Sequence, residues 1–143
     1  NATGLDLSPT YTDAARERLK SWKQVEILHE AAEAMPVEDA SQDIVISVFL
    51  FHELPPRVRS VVLAEMYRVL KPGGLLIIAD SVQFGDYPEM DGLLEYFPHG
   101  FHEPYYKGYL SWNVQETCES IGFVPDRRTL AFLTKINSFR RPA

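Results

Sequence analysis

The chain has 143 residues, 45% of them hydrophobic and 24% charged, and a formal net charge of −6. That length suits one domain able to bury roughly two thirds of its unfolded surface, and the acidic balance excludes a general nucleic-acid binder, which would show a basic face. One cysteine, Cys118, excludes an internal disulfide and predicts a reducing, intracellular setting such as the cytoplasm or an organelle stroma. No apolar run approaches the roughly 18 residues of a membrane span, so a soluble protein with no membrane partner is expected.

Ala2-Thr3-Gly4-Leu5 reads as a short strand ending on Asp6. Ser8 offers an N-cap oxygen and Pro9 suits the first helical position. Tyr11, Ala14, Ala15, Leu19 and Trp22 recur at helical spacing and predict a helix from about Pro9 to Trp22. Val25 to Leu28 is a second short strand, and His29 to Asp39 a loop or one helical turn. Asp43 to Phe51, nearly all apolar or β-branched, is a third strand, ended by His52-Glu53-Leu54-Pro55-Pro56. A helix from about Pro56 to Leu70 carries Val58, Val62, Met66 and Val69 on one stripe, broadened by Val61, Leu63 and Leu70.

Lys71 then stands where a cation suits a helix C-terminus, and Pro72-Gly73-Gly74 makes a tight exit in which both glycines supply unusual backbone angles. Leu75 to Ala79 follow without alternation, as in a strand covered on both faces. Asp80 closes that strand at its carboxyl end, where open α/β sheets bind ligands. Ser81 to Tyr109 is irregular and rich in aromatic residues, with a short helix over Met90 to Tyr96; an insertion of that length reads as a functional lid. A clearer helix runs from about Trp112 to Ile121 and stops at Gly122, and Phe123–Arg128 with Phe132–Phe139 reads as an antiparallel closing pair at the sheet edge. This succession predicts an α/β fold built on a largely parallel sheet, as a single domain over residues 1–143 with 81–109 as its lid.

Asp6 after a strand, Ala32-Glu33-Ala34-Met35-Pro36, Asp43-Ile44-Val45, Phe51-His52-Glu53-Leu54 and Arg68-Val69-Leu70-Lys71-Pro72-Gly73-Gly74 occur in one order with tight spacing. Together they resemble the class I S-adenosylmethionine-dependent methyltransferases, of the small-molecule type that ends a helix in this Lys-Pro-Gly-Gly manner. The resemblance covers essentially the whole chain. It implies a doubly wound, Rossmann-like sheet, mostly parallel with an antiparallel C-terminal edge pair, and S-adenosylmethionine as cofactor. It further implies a first strand and glycine-rich turn about 20 residues ahead of Asp6. Five residues precede Asp6. The expectation is therefore an N-terminally incomplete domain with that first strand absent, unless a second copy in a homodimer supplies it.

The resemblance gives Asp6, with Leu7 beside it, the acidic role on the cofactor ribose, since one carboxylate can accept from two vicinal hydroxyls; a turn role ahead of Ser8 is the alternative. The position that often carries an adenine-binding Asp is here Ala31, so adenine recognition falls to the Ala32 backbone and to Glu30 or Glu33. Met35 would pack by the adenine face or serve as a core methionine. By family position Val48, Phe49 and His52 lie near the methyl-bearing end of the cofactor. His52 is the catalytic candidate, because imidazole titrates near neutrality; it could equally fix the turn at Pro55-Pro56. His99, His102, Tyr105 and Tyr106 are the candidate substrate residues of the lid. His99, His102 and Glu103 sit in a stretch broken by Gly100 and Pro104, not at helical spacing, so no metal site is expected.

The function implied is methyl transfer to a small-molecule acceptor, planar or apolar to match the lid. Its rivals are a non-catalytic dimerisation module, motivated by Ala31 and the missing glycine loop, and a nicotinamide dehydrogenase sharing the Asp6 logic.

Overall fold

Pro9 has no backbone N–H to leave unpaired, and the Ser8 hydroxyl before it accepts from Tyr11 N at 3.5 Å, so the first helix starts where the sequence places it. In the computed structural model, which describes residues 1–143, this helix α1 (Pro9–Leu19) connects strand β1 (Ala2–Asp6) to strand β2 (Val25–His29). The two strands are parallel, with Asp6 opposite His29. A parallel pair cannot be closed by a tight turn, and α1 is its crossover. The helix stops three residues before Trp22: Trp22 N bonds Leu19 O at 2.8 Å and Val25 N bonds Trp22 O at 2.9 Å, turning the chain into β2. These elements form the compact unit Asn1–Val37.

The second unit, Glu38–Ala143, is built on a four-stranded sheet in the order β3-β4-β6-β5. Strand β3 (Gln42–Val48) runs parallel to β4 (Leu70–Ser81), and α2 (Pro56–Val69) is the crossover between them. Strand β6 (Thr134–Arg140) lies antiparallel between β4 and β5 (Val124–Ala131), so the closing pair forms as expected, with β5 at the edge. Val62, Leu63, Met66 and Val69 of α2 pack with Leu76, Ile78, Phe123 and Phe139 into the core of this unit, and all are buried. Cys118, buried on α5 (Val114–Ile121), has its thiol pushed up to about 12 by burial and by Glu119, which suits a packing residue rather than a nucleophile.

Around Arg68–Asp80 several expectations need correction. The strand begins at Leu70, not Leu75, because Gln42 of β3 already pairs with Leu70 before a register shift. Lys71 therefore lies in the strand and bonds Asp43 Oδ1 at 2.7 Å. The cation at the end of α2 is Arg141 instead: its guanidinium donates to Tyr67 O, Leu70 O and Arg68 O at 2.9, 2.6 and 3.3 Å. Only Gly73 has an unusual backbone angle (φ 79°). Gly74 is required for closeness, since a Cβ there would lie 2.8 Å from Lys71 O. The run Leu75–Ala79 is not covered on both faces either; Leu76 and Ile78 are buried, whereas Leu75, Ile77 and Ala79 are half-buried. Their face continues into β3, where Ile44, Ile46 and Val48 are 54%, 61% and 62% exposed.

The third strand ends at Val48, not Phe51. Phe49 takes a left-handed conformation (φ 50°) and Phe51–Glu53 forms one 3₁₀ turn. Residues 81–109 are more regular than expected: a 3₁₀ turn at Pro88–Met90, helix α3 (Asp91–Gly100) and helix α4 (Tyr106–Leu110). Val82, Leu94, Tyr106 and Leu110 hold this segment together with Tyr87, Phe97 and Leu130 around them. Helix α5 begins at Val114, two residues after Trp112, because the Asn113 side chain accepts from Glu116 N and caps it. Gly122 ends it as expected.

Candidate active site

Parallel pairing sets the carboxyl ends of β3 and β4 side by side, with Val48 opposite Ala79 and Phe49 N bonded to Ala79 O at 2.8 Å. The next residue of β4 is Asp80, 1% exposed. Three donors converge on its carboxyl group: Phe51 N on Oδ2 at 2.8 Å, and Ser81 N at 2.7 Å and His52 Nδ1 at 2.6 Å on Oδ1. So many donors fix Asp80 as an acceptor, which assigns the proton of neutral His52 to Nδ1 and leaves Nε2 as the basic nitrogen.

The His52 side chain is 13% exposed, and its ring meets Phe49, Tyr106 and Tyr109 edge-on at 6.3, 5.8 and 6.1 Å between centroids. Burial alone would lower its pKa. The hydrogen bond and charge of Asp80, helped by Glu103 and Glu53, outweigh burial and raise it above the ordinary 6.5. Tyr106 bonds Ser81 Oγ at 2.7 Å and Tyr109 donates to Ser81 O at 2.5 Å. Both phenols are pushed upward, chiefly by burial, and stay protonated.

Arg59 of α2 holds this arrangement from beneath. It is 1% exposed, and its guanidinium donates to Phe51 O, Tyr105 O and Gly108 O at 3.0, 3.0 and 3.1 Å. The cation also lies 5.2 Å from the Trp112 ring centroid, and Trp112 stacks on Phe51 at 5.4 Å. One buried cation thus ties α2, the turn carrying His52 and helix α4 together.

A cavity of about 260 Å³ opens beside His52. Phe49, Val82, Met90, Leu94 and Phe97 make it largely apolar, and His52, Ser81, Glu103 and Tyr106 supply its polar groups. Of the lid candidates, Tyr106 therefore reaches the cavity. Tyr105 does not line it and contributes its carbonyl to Arg59. His99 and His102 are exposed and lie away from it, His99 against the Tyr96 ring at 5.7 Å. Glu103, which the sequence offers no role, lines the cavity and helps to raise the His52 pKa. Asp80 and Arg59 had no place among the candidates; the signal available for Asp80 was its position at a strand's carboxyl end.

The cofactor candidates fall in two places. In the first unit Asp6 ends β1 beside the end of β2, and its Oδ1 accepts from Ser8 N at 2.7 Å, which fits the turn role. Its residue is exposed, leaving Oδ2 open to a ligand. Leu7 is 67% exposed, and its carbonyl is bonded to His29 Nε2 at 2.8 Å. Ala31, Ala32, Glu33 and Met35 lie in the turns that follow β2. In the second unit Val48 and Phe49 end β3, and Phe49 forms a wall of the cavity.

The family described as "methyltransferase domain" matches residues 1–78. A demethylmenaquinone methyltransferase from Listeria welshimeri is 40% identical over 85 residues, covering 58% of this chain and 35% of that protein. The chain thus spans about a third of the length of the curated relatives it matches. Among solved structures, a SAM-dependent methyltransferase from Methanosarcina mazei superposes with a TM-score of 0.74 over 99% of this chain and 82% of that one, at 18% identity. Another from Aquifex aeolicus gives a TM-score of 0.72 over 97% of this chain and 68% of that one, at 22% identity. Likeness at such identities is a likeness of fold, and it agrees with the Rossmann-like α/β class expected from the sequence.

Proposed function

From the premise that this chain belongs to the methyltransferase domain family, we propose that it serves methyl transfer from S-adenosylmethionine to a small, largely apolar acceptor, with His52 taking the acceptor's proton. The observation that carries this reading is the His52–Asp80 pair at the strand ends, facing an apolar cavity.

Asp6 fits the ribose role by its donor chemistry, an exposed carboxylate with one oxygen held rigid by Ser8 N. Ala31 offers no side-chain acceptor, so adenine would rest on backbone groups near Ala32 and on Glu33, with Met35 against its face. Leu7 lies beside Asp6, and Val48 and Phe49 would shape the methyl-bearing end. S-adenosylmethionine, when bound, supplies an electrophilic methyl group whose bonding electron pair stays on sulfur.

His52 does the rest. Asp80 fixes the ring and its tautomer, so that Nε2 can accept a proton from an acceptor O–H or N–H as the new bond to carbon forms. Tyr106 and Glu103 border the same cavity and can orient the acceptor, while Phe49, Val82, Met90 and Phe97 exclude water from it. In this reading Tyr105, His99 and His102 act at the outer edge of the lid.

Calorimetry with S-adenosylhomocysteine tests the cofactor half: binding is expected, and it should weaken in Asp6→Ala. For the acceptor half, the quinol form of demethylmenaquinone, the compound that the Listeria relative's name carries, is the first acceptor to try, since reduction gives it the phenolic O–H groups that His52 can deprotonate. His52→Gln should lower turnover about a hundredfold or more with cofactor binding unchanged. Absence of S-adenosylhomocysteine binding would overturn the catalytic reading and favour the second one, an interaction module, to which the missing carboxylate at Ala31 already points.

A further inference from the structure

A second cavity of about 260 Å³ lies in the unit Glu38–Ala143 and shares no lining residue with the one beside His52. Its floor is the β5–β6 pair. Lys135 and Asn137 alternate onto one face of β6, and Arg128 stands directly opposite Asn137 on β5, so the three side chains share that face. Leu110, Trp112 and Val114 form an apolar wall.

Charge in this cavity is unbalanced. Lys135, 8% exposed, donates to Gln83 Oε1 at 2.9 Å and lies 3.2 Å from Asp86 Oδ1. Arg128 binds the same Asp86 oxygen, and Gln83 N takes the other at 2.8 Å. Two cations therefore share one carboxylate, leaving a net charge of +1 beside a buried ammonium, while the Arg128 side chain is 55% exposed. Burial already pushes the Lys135 pKa down, against the pull of Asp86. Asn137 is equally buried, at 8% exposed, and its side-chain amide lines the cavity with no hydrogen-bond partner in the protein.

We propose that this cavity binds a small monocarboxylate with an apolar body, its carboxylate accepting from Arg128, Lys135 and Asn137 and its body lying against Trp112 and Leu110. One negative charge matches the excess of one positive charge, and the guanidinium offers the paired donors that suit a planar carboxylate. The volume lies just under the range of about 300–1,000 Å³ for sites of drug-sized ligands, so the occupant is small. A phosphate would leave the apolar wall unused and its second charge unmatched.

The Trp112 indole, whose N–H donates to Thr117 Oγ1 at 2.9 Å, is a local reporter, and the protein's other tryptophan, Trp22, lies in the first unit and serves as control. In ¹⁵N-resolved spectra of the full chain, benzoate should shift the Trp112 indole signal saturably and leave Trp22 still, whereas benzylamine and benzyl alcohol should not. Arg128→Gln, at a half-exposed position, and Lys135→Met should each weaken benzoate about tenfold, the equivalent of one charge-assisted hydrogen bond. The proposal is overturned if benzoate gives no saturable shift in the millimolar range, if benzyl alcohol matches it, or if neither variant changes its affinity. Binding of inorganic phosphate in preference to benzoate would overturn it as well.

Discussion

With Asp80 bonded to Nδ1, His52 can act only through Nε2, and only when that nitrogen is unprotonated. Because its pKa is raised in the folded state, turnover should climb with pH through a midpoint above 6.5, the ordinary value for the group. Asp80→Asn removes the charge that raises it, so the midpoint of the turnover profile should move down. The same linkage bears on stability: a raised folded pKa stabilises the fold fully below the unfolded value near 6.5 and loses that contribution as pH rises through the folded value. Melting temperatures across pH 6 to 9 should therefore fall less steeply in Asp80→Asn than in the native chain. His52 was legible as a candidate from its chemistry alone. Its partner was not, because 28 residues separate the two and only the parallel pairing of β3 and β4 brings their ends together. His99 and His102 show the opposite case, residues of suitable type that do not line the cavity while Glu103 and Tyr106 of the same segment do.

Helix α2 buries Val62, Leu63, Met66 and Val69 of its apolar stripe, but Val61, expected to broaden that face, is 47% exposed, and one buried member of the helix is an arginine. Arg59 satisfies three carbonyls that belong to a turn and a short helix, neither of which could hold its geometry through local bonds alone. Arg59→Met keeps much of the volume and strands those carbonyls, and it should cost on the order of 3 kcal/mol in denaturant unfolding. A purely apolar reading of the stripe would expect a gain instead. The turn after α2 offers a sharper contrast. Gly73→Ala meets nothing within 4 Å and bears only the left-handed backbone cost, about 1 kcal/mol. Gly74→Ala would drive a methyl to 2.8 Å from Lys71 O and 3.2 Å from Asp43 O, so its loss in the same assay should be clearly larger. The tight exit was visible in the sequence. That one glycine answers to conformation and the other to crowding depends on β3 lying alongside, and Arg141's grip on the end of α2 spans some 70 residues that no local pattern reports.

For the whole molecule, alternation of strands and helices was enough to give the α/β class and the antiparallel closing pair, whereas the parallel partners β1–β2 and β3–β4 come from the structure. Two features of the larger unit were not legible: which face of its sheet the helices cover, and that β3 has a strand neighbour on one side only. The five residues Ile44–Val48 combine high strand preference with no charge, and Ile44, Ile46 and Val48 stand half or more exposed. A strand of that make-up at an open edge is a template on which a partly unfolded copy can add itself in register. Expression yield and shelf life of this 143-residue chain should then be governed less by how tightly it folds than by how seldom β3 meets another copy. Ile46→Lys places one charge on that strand, and light scattering during storage at high concentration should show slower particle growth with the cooperative unfolding transition left in place.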